Sequence, residues 1–381
     1  MSKTVTRITL PGANAGTQRS IVVHRYGTAG ARPKVYIQAS LHADEVPGAI
    51  AAHHLIRRLD EADRKGEIRG EIIVVPMANP IGLDQFVAEK PMGRFDLGGA
   101  GNFNRHYPEL TAAVAERVSD RLGPDPDANV ALIRAALKDA LAEVVPANEA
   151  DHLRKTLLSL SIDSDIVLDL HCDDQALVHV YMGTPLWPNA RDLTADLKAE
   201  AVLLAEISGG EPFDEANSSP WWRLTEYVGT AHPIPPACLA ATVELRGQAD
   251  VDDETAAADA DNLFRFLQRR GIVAGDPGPL PEARCEATPL AGVDMVKAPV
   301  SGIVAYRVKL GDRVRKGDLI AEIIDWCAED HARARTPVYA GTDGPVWSLK
   351  AHRYVQAGMV IAKISGATPI EGKGKFLLTA R

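Results

Sequence analysis

Residues 35–48 read Val35-Tyr36-Ile37-Gln38-Ala39-Ser40-Leu41-His42-Ala43-Asp44-Glu45-Val46-Pro47-Gly48. The apolar start is typical of a buried strand, and residues 49–59 have the apolar spacing of a helix. His42 and Glu45 therefore lie at a strand-to-helix turn. Ligands bind at such turns in open α/β sheets, so the segment predicts both a fold class and the place of a functional site.

The spacing of His42 and Glu45 places both side chains on one side of a tight turn. An imidazole nitrogen and a carboxylate oxygen in that arrangement can share a metal ion. Two histidines and one glutamate, with water in the fourth position, form a common catalytic zinc site. A single His-x-x-Glu pattern also occurs in ordinary polar loops, where Asp44 would cap the helix, so the metal hypothesis depends on the rest of the chain.

Length and composition set the class of protein. A chain of 381 residues suggests two domains, or one large domain with an appendage. The formal net charge of −9 argues against a nucleic-acid partner or an anionic membrane surface. Four scattered cysteines, an N-terminus without an apolar signal core and the absence of a long apolar run predict a soluble, cytoplasmic protein. The sequence is also compatible with a homo-oligomer.

Strands and helices are predicted to alternate along the first 271 residues. Residues 5–26 have the pattern of a strand or hairpin, and buried strands are expected at 70–76, 164–170, 177–182 and 238–245. Helices are expected within 109–160 and over 195–209 and 255–271. This order predicts an α/β fold with a mixed, mostly parallel sheet flanked by helices.

His171 stands at the end of the predicted strand at residues 164–170 and is the candidate third metal ligand. Asp169 lies two residues earlier on the same face, from which it could orient the ring of His42 or His171. The alternative is an ordinary core or edge histidine without a ligand role.

Glu244 lies in the apolar run of residues 238–245. An acid in a buried strand is costly unless it has a function. Burial would raise its pKa toward a value useful for a general base. The alternative is a surface ion pair between Glu244 and Arg246.

Residues 91–108 form a long glycine-rich loop that carries Arg94, Asn104 and Arg105. Such loops are often functional, and arginine binds a carboxylate through two parallel hydrogen bonds. The alternative is that both arginines are solvated loop charges. Tyr227, in a segment that also holds two tryptophans, is a further candidate for substrate binding; that segment is either core or a pocket wall.

Residues 275–281 (Gly-Asp-Pro-Gly-Pro-Leu-Pro) are the clearest linker in the chain. They predict a zinc-dependent catalytic domain over residues 1–281 and a second domain over 282–381. Within the second domain, the glycine and valine pattern of residues 298–323 is repeated in residues 340–364. Two such halves predict a small all-β barrel.

Taken together, the motifs His42-x-x-Glu45, Arg94, Asn104-Arg105, His171 and Glu244-Leu245-Arg246 resemble those of the zinc carboxypeptidase superfamily. Within it the chain is most similar to the succinylglutamate desuccinylase/aspartoacylase family. The resemblance covers the whole chain, since members also carry a C-terminal β domain, and it rests on the order and spacing of five motifs.

The resemblance implies one Zn²⁺ per chain, held by His42, Glu45 and His171. Glu244 would be the general base and acid: it would take a proton from the zinc-activated water and return it to the leaving amine. The implied activity is hydrolysis of the amide bond of a small N-acyl amino acid. A metallocarboxypeptidase acting on short peptides is the alternative, and a metal-free binding or carrier-like protein is a third reading.

The resemblance also implies substrate contacts. Arg94 would stabilise the oxyanion, and Asn104 and Arg105 would hold the substrate carboxylate. The chain departs from aspartoacylase in residues 230–237, which contain no arginine for a second carboxylate and only His232. This departure argues against acylaspartate and succinylglutamate as substrates.

The second domain resembles a biotinyl or lipoyl carrier. A carrier needs a lysine on the hairpin that joins its halves, and residues 324–337 contain none. We therefore expect this domain to cap the active site and to carry no attached cofactor.

Overall fold

The computed structural model describes residues 2–12, 14–374 and 376–377. The strands up to residue 289 are, in chain order, β1 (Thr4–Leu10), β2 (Arg19–Tyr26), β3 (Lys34–Ala39), β4 (Glu71–Val75), β5 (Phe86–Val87), β6 (Lys90–Pro91), β7 (Phe95–Asp96), β8 (Gly101–Asn102), β9 (Ile166–Asp173), β10 (Gln175–Ala176), β11 (His179–Gly183), β12 (Ala201–Ala205), β13 (Leu239–Gly247) and β14 (Ala287–Pro289).

The α-helices are α1 (Pro47–Lys65), α2 (Pro80–Leu83), α3 (Thr111–Val118), α4 (Pro126–Glu143), α5 (Glu149–Ser161), α6 (Arg191–Asp196), α7 (Phe213–Ser218), α8 (Pro220–Arg223), α9 (Thr225–Val228) and α10 (Asp253–Arg269). Short 3-10 helices cover Thr184–Asn189, Leu290–Gly292 and His331–Arg333. Among the described residues, no helix combines the length and the apolar character needed to cross a bilayer.

The central sheet has nine strands in the order β1-β2-β4-β3-β9-β13-β11-β12-β14. Five of its eight pairings are parallel, and they include the consecutive set β4-β3-β9-β13 in the middle. The prediction of a mixed, mostly parallel sheet flanked by helices is confirmed. The parallel arrangement brings the carboxyl ends of β3, β9 and β13 to one edge, next to each other.

Helices cover both faces of this sheet. One apolar core lies between the sheet and helices α1, α6 and α10, and a second lies between the sheet and α3, α4, α5 and α8. All side chains of β3 are buried, as expected for a strand covered on both faces. Helix α1 begins with Pro47 in its first turn and ends at Gly66, whose φ of 71° suits glycine.

The predicted helix over residues 195–209 is wrong. Helix α6 ends at Asp196, Lys198 adopts a left-handed φ of 56°, and residues 201–205 form strand β12. The sequence Ala-Val-Leu-Leu-Ala has good helix propensity. Its pairing in parallel with both β11 and β14 buries the segment in the sheet, and this tertiary contact overrides the local preference.

The strands after residue 289 are β15 (Val293–Lys297), β16 (Gly302–Tyr306), β17 (Arg313–Val314), β18 (Leu319–Ile324), β19 (Arg335–Tyr339), β20 (Gly344–Leu349), β21 (Tyr354–Val355) and β22 (Val360–Ser365). One sheet has the order β10-β20-β22-β15, with β17 also paired to β20, and the other has the order β19-β18-β16-β21.

The internal duplication is visible in this pairing. Strands β16, β17 and β18 of the first half correspond in order to β20, β21 and β22 of the second half. Each half gives its short strand to the other, because β17 pairs with β20 and β21 pairs with β16. The described strands form two separate sheets around one small apolar core, so the predicted small all-β barrel is not confirmed.

Candidate active site

Strand register places two of the candidate residues side by side. His171 of β9 is directly paired with Glu244 of the parallel strand β13, so both side chains point to the same face of the sheet. On the other side of β9, strand β3 ends at Ala39, and His42 and Glu45 follow in the turn before α1. The ends of three adjacent strands thus bring all four side chains to one edge of the central sheet.

The turn residues and His171 form one compact cluster. His42 Nδ1 lies 3.0 Å from Glu45 Oε1, and His171 Nδ1 lies 2.7 Å from Glu45 Oε2. One ligand atom from each residue lies within 4.8 Å of the other two, and all three residues are buried. Both histidines therefore turn the same ring nitrogen, Nδ1, toward the shared carboxylate.

The opposite nitrogens of the two rings also have defined partners. His42 Nε2 lies 2.8 Å from Asn102 Oδ1, and His171 Nε2 lies 2.9 Å from Asp169 Oδ2. Asp169 Oδ1 in turn accepts a hydrogen bond of 2.9 Å from Gln38 Nε2. Outer contacts of this kind fix the orientation of histidine ligands, and they leave Nδ1 free to face a metal ion.

The cluster fits a zinc ion by its donor chemistry. Two imidazole nitrogens and one carboxylate form the His₂Glu set of catalytic zinc sites, which keep one position open for water. A carboxylate buried as deeply as that of Glu45 needs cationic partners to offset its desolvation. We therefore treat His42, Glu45 and His171 as the residues that would hold the ion.

Burial and neighbouring charges shift the pKa values of the two histidines in opposite directions. Burial, assisted by Arg94, lowers the pKa of His42 to about 4, which keeps its imidazole neutral. Burial opposes a charge on His171 too, but Asp169 and Glu45 together hold the pKa of His171 well above its usual range. Since a histidine binds metal only when its ligating nitrogen is deprotonated, metal binding at this site must release a proton.

Glu244 has the environment expected of a general base. Burial and the charge of Glu45 raise the pKa of Glu244 to about 8, and its Oε2 has no hydrogen-bond partner among the described residues. The alternative of a Glu244–Arg246 pair is wrong, because the Arg246 guanidinium pairs with Asp259. The sheet register shifts between Glu244 and Gly247, and Arg246 adopts a left-handed φ of 66°, which turns it away from Glu244.

This raised pKa predicts a pH-dependent stability. In the metal-free protein the folded state keeps a proton on Glu244 that the unfolded state releases above about pH 4.5, so this group lowers stability as pH rises toward 8. Glu244→Gln removes the titration. The difference in unfolding free energy between the variant and the wild type should therefore be larger at pH 8 than at pH 5, in favour of the variant, by on the order of 2 kcal/mol. Urea titrations at the two pH values measure this change.

Comparing the same variant at two pH values cancels any constant effect of the buried amide. The exposed substitution Glu226→Gln, on α9, is the matched control and should show no such change. An equal stability difference for Glu244→Gln at both pH values would contradict the raised pKa.

Arg94 lies against the cluster. Its Nη1 donates to Glu45 Oε1 at 2.8 Å and lies 3.3 Å from His42 Nδ1, while part of the side chain stays exposed to the cavity. The loop reaches this place because Gly93 passes directly over the turn, where a Cβ atom would lie only 2.4 Å from the backbone nitrogen of Asp44. The glycine is thus required for the close approach.

Asn104 and Arg105 line the same cavity. Asn104 Oδ1 accepts a hydrogen bond of 2.9 Å from the backbone nitrogen of Phe213, which fixes α7 beside the loop. Arg105 is only 9% exposed, and its Nη1 donates to the carbonyl of Asn104 at 2.6 Å. Its guanidinium forms no ion pair with a described carboxylate, so it is a buried cation that can accept an anion.

Tyr227 does not join the cavity. It lies on the short helix α9 with 52% of its surface exposed, and it is not among the residues that line the cavity. The two tryptophans before it also lie outside the lining: Trp221 is fully buried in the core, and Trp222 packs against Gly183.

The cavity has a volume of about 180 Å³ and brings together both parts of the chain. The sheet and its loops supply His42, His171, Glu244, Arg94 and Arg105. The C-terminal strands β15 and β22 and the turn before them supply one wall, through Leu290, Met295, Val360 and Lys363.

Lys363 ties that wall to the sheet. Its ammonium pairs with Asp173, two residues after His171, and lies 5.1 Å from the centre of the Trp347 ring.

Some residues of this site could not be singled out from the sequence. Asn102 contacts His42 and stands two positions before Asn104, so the Asn-x-Asn-Arg pattern was its only signal. Asp214 and Glu215 of α7 line the cavity, but nothing in their sequence context distinguishes them from surface acids. Lys363 lies in the other half of the chain, and only tertiary structure brings it to the site.

The fold is that of hydrolases that act on amide bonds of N-acyl amino acids. A sequence model described as "Succinylglutamate desuccinylase/Aspartoacylase catalytic domain" matches residues 31–270, which is more than half of the chain. The matched range contains every residue of the His–Glu–His cluster and Glu244. The chain belongs to the succinylglutamate desuccinylase/aspartoacylase family.

Individual relatives agree with this placement. The N-alpha-acetyl-L-2,4-diaminobutyric acid deacetylase of Halomonas elongata is 24% identical over 310 residues, which cover 78% of this chain and 72% of that protein. A crystal structure of a family member from Shewanella amazonensis has a TM-score of 0.83 at 28% identity and covers 95% of this chain and 98% of that chain.

A more distant structure shows the shared fold. The product-bound ectoine utilization protein EutE (DoeB) from Ruegeria pomeroyi has a TM-score of 0.67 at 17% identity, covering 97% of this chain and 96% of that chain.

Proposed function

We propose that the protein is a zinc-dependent deacylase, which hydrolyses the amide bond of a small N-acyl amino acid to a carboxylate and a free amino acid. The observation that carries this proposal is the buried His42–Glu45–His171 cluster beside the unpaired carboxylate of Glu244. When bound, zinc would supply Lewis-acid activation of water and of the amide carbonyl.

Glu244 does the proton chemistry in this proposal. Its Oε2 has no hydrogen-bond partner among the described residues and lies in the cavity wall. A zinc ion held by the adjacent cluster would lower the pKa that is raised in the metal-free protein, so that the ionised carboxylate could accept the proton of an attacking water. The environment that raises its pKa also keeps the captured proton available. Glu244 then donates that proton to the leaving nitrogen, which departs as a free amine.

Arg94 would stabilise the oxyanion that develops on the carbonyl oxygen. Its guanidinium already lies within hydrogen-bond distance of Glu45, at the mouth of the cluster. A donor fixed in advance at such a place typically contributes ~3 kcal/mol to the transition state.

Arg105, with the amide of Asn104 beside it, would hold the α-carboxylate of the substrate. We expect Arg105→Lys to lower kcat/KM for N-acyl amino acids by about 100-fold, because the lysine ammonium is a point charge and cannot form two parallel hydrogen bonds. The measurement compares each N-acyl amino acid with its α-amide. The amides should lose much less, and an equal loss for acids and amides would indicate a structural role for Arg105.

The size of the cavity lined by Glu244 favours small substrates over peptides, because its volume of about 180 Å³ lies below the roughly 300 Å³ at which pockets for drug-sized ligands begin. A second cavity of about 340 Å³ adjoins it and shares Arg94, Asp173 and Lys363. We propose that the C-terminal part acts as a cap that limits this volume. A metallocarboxypeptidase acting on short peptides would need the cap to open, so it is the second candidate.

The cap can be tested through Met295. Met295→Ala removes bulk from the wall, so kcat/KM for bulkier N-acyl amino acids should rise about tenfold relative to the acetyl compound with the smallest side chain. The matched control is Met359→Ala, an exposed methionine in the turn just before β22 that does not line the cavity. An unchanged size preference in Met295→Ala would contradict the cap.

We propose the remaining organisation on the same grounds. Residues 1–281 form the catalytic unit and residues 282–381 form the cap, with β14 of the second part added to the edge of the central sheet. The four cysteines are not joined in disulfides, in keeping with a cytoplasmic location. We expect small-molecule substrates, and the net charge of −9 argues against nucleic acid or an anionic membrane as a partner.

The direct test is a screen of N-acyl amino acids and dipeptides that reads released amine. Release from the acyl amino acids, dependent on zinc, supports the deacylase. Release from dipeptides alone would favour the carboxypeptidase, and a full-length protein that neither holds zinc nor releases amine would favour a binding protein.

A further inference from the structure

Asp214 is a buried acid that the proposed reaction does not use. It lies on the fully buried helix α7 with only 7% of its surface exposed, and it lines the cavity. Among the described residues its carboxylate forms no ion pair, and its hydrogen-bond neighbour is the backbone of Glu215. A buried carboxylate without an ion-pair partner is costly, which favours a cationic ligand.

The neighbouring acid has a different role. Glu215 Oε1 accepts a hydrogen bond of 2.6 Å from the backbone nitrogen of Ser208, so this carboxylate is already engaged. Its charge nevertheless adds to the negative potential around Asp214. Burial and Glu215 together raise the pKa of Asp214 to about 7, and the charge of Arg105 offsets only part of this rise.

The cations that line the cavity do not neutralise Asp214. Arg94 pairs with Glu45, and Lys363 pairs with Asp173. Arg105 is the remaining one, and it forms no ion pair with a described carboxylate. The cavity is therefore lined by one buried cation and one buried acid that influence each other through their charges but form no ion pair.

The backbone holds these two groups in a fixed relation. The hydrogen bond from the Phe213 backbone to Asn104 joins the start of α7 to the residue before Arg105. A second connection runs from the backbone nitrogen of His106 to the carbonyl of Gly210 at 2.9 Å. Gly210 has a φ of 83°, and a Cβ atom there would lie 2.8 Å from Arg105 Cδ, so glycine is required for the arginine to fit.

We propose that the Asp214 carboxylate binds the side-chain ammonium of the substrate, while Arg105 binds its α-carboxylate, so that the substrate class is the N-α-acyl derivative of a short diamino acid. This inference rests on the proposed deacylase function and specifies its substrate. The small cavity limits the side chain to a few carbon atoms.

Two further observations agree. Residues 230–237 lack the arginine that a second substrate carboxylate would need, so an acidic side chain has no partner from this segment. The Halomonas elongata deacetylase acts, by its name, on a compound of the diamino acid class. Neither observation involves Asp214, whose burial and lack of an ion-pair partner are features of this chain alone.

The test compares three N-α-acetyl compounds on the zinc-loaded full chain. The 2,4-diaminobutyrate derivative has a cationic side chain, the norvaline derivative is its neutral isostere, and the aspartate derivative is acidic. The wild type should prefer the cationic compound over the norvaline derivative by about 10- to 100-fold in kcat/KM, the effect of a hydrogen bond to a charged group. It should hydrolyse the aspartate derivative least.

Asp214→Asn should reduce that preference to within about threefold, and Asp214→Glu, which keeps the charge, should retain more of it. The control is Glu211→Gln, an exposed acid in the same loop outside the cavity lining, which should keep the wild-type ratio. Calorimetric binding of free 2,4-diaminobutyrate and norvaline to the same proteins gives a second readout, in which the wild type alone should favour the diamino acid.

The outcomes separate the two proposals. Hydrolysis without a preference for the cationic compound, or an unchanged preference in Asp214→Asn, overturns this inference and leaves the deacylase standing. Absence of hydrolysis for all three compounds and for other N-acyl amino acids overturns both. If Asp214→Asn does not fold, the substrate series on the wild type still decides the inference.

Discussion

Glu244→Gln is expected to lower kcat for N-acyl amino acids by roughly 10³-fold while the protein keeps its zinc. Glutamine has nearly the same shape, but it cannot accept the proton of the attacking water or return it to the leaving amine. Since Glu244 is not part of the His42–Glu45–His171 cluster, its substitution leaves the metal donors unchanged. The measurement is kcat together with zinc content from elemental analysis of the same sample.

The matched control is Glu254→Gln, an exposed glutamate in the first turn of α10, which should change neither quantity. Loss of zinc from Glu244→Gln would show that the roles are assigned wrongly. Loss of less than about tenfold in kcat would show that another group moves the proton.

His171→Ala should lose zinc and turnover together. It removes one of three protein donors and also leaves Asp169 and Glu45, both buried, without their shared imidazole. We expect turnover to fall by at least about 10³-fold at micromolar zinc, with partial recovery when zinc is added in large excess. The same elemental analysis and amine assay give both values.

His53→Ala, an exposed histidine on the outer side of α1, is the control and should keep both zinc and activity. If His171→Ala retained its full zinc content, His171 would not be a ligand, and the site would have to be sought among other residues.

The sequence predicted the middle of the sheet well for a physical reason. Strands that are covered on both faces are continuous apolar runs, so β3, β4, β9 and β13 stand out from their surroundings. Parallel strands also end at one edge of a sheet. Polar residues that follow such runs, as His42 and His171 do, could therefore be expected to meet without knowledge of the strand order.

The failures share a cause too, which is that long-range pairing overrides local preference. Strand β12 has helix-forming residues but is held by β11 and β14, strands that local sequence does not bring together. The exchange of β17 and β21 between the two repeats is likewise a tertiary feature, and a repeated pattern alone did not distinguish two sheets from a closed barrel.

The sequence failed to identify some residues of the site for the same reason. A motif identifies residues that act through a fixed spacing, such as His42 and Glu45. Asp214 and Lys363 belong to the cavity only through packing, and Tyr227 lies outside it despite a suggestive sequence context. Residues that contact the variable part of a substrate could therefore be identified only from the structure.

The central claim is that amide hydrolysis depends on one zinc ion at the His–Glu–His cluster. Its most direct test is the rate of amine release from an N-acetyl amino acid as zinc is titrated into metal-free, full-length protein. We predict almost no release without metal, then a linear rise that ends at about one zinc per chain. Full activity in the metal-free protein, or a rate that keeps rising well beyond one zinc per chain, would contradict the dependence on a single zinc ion.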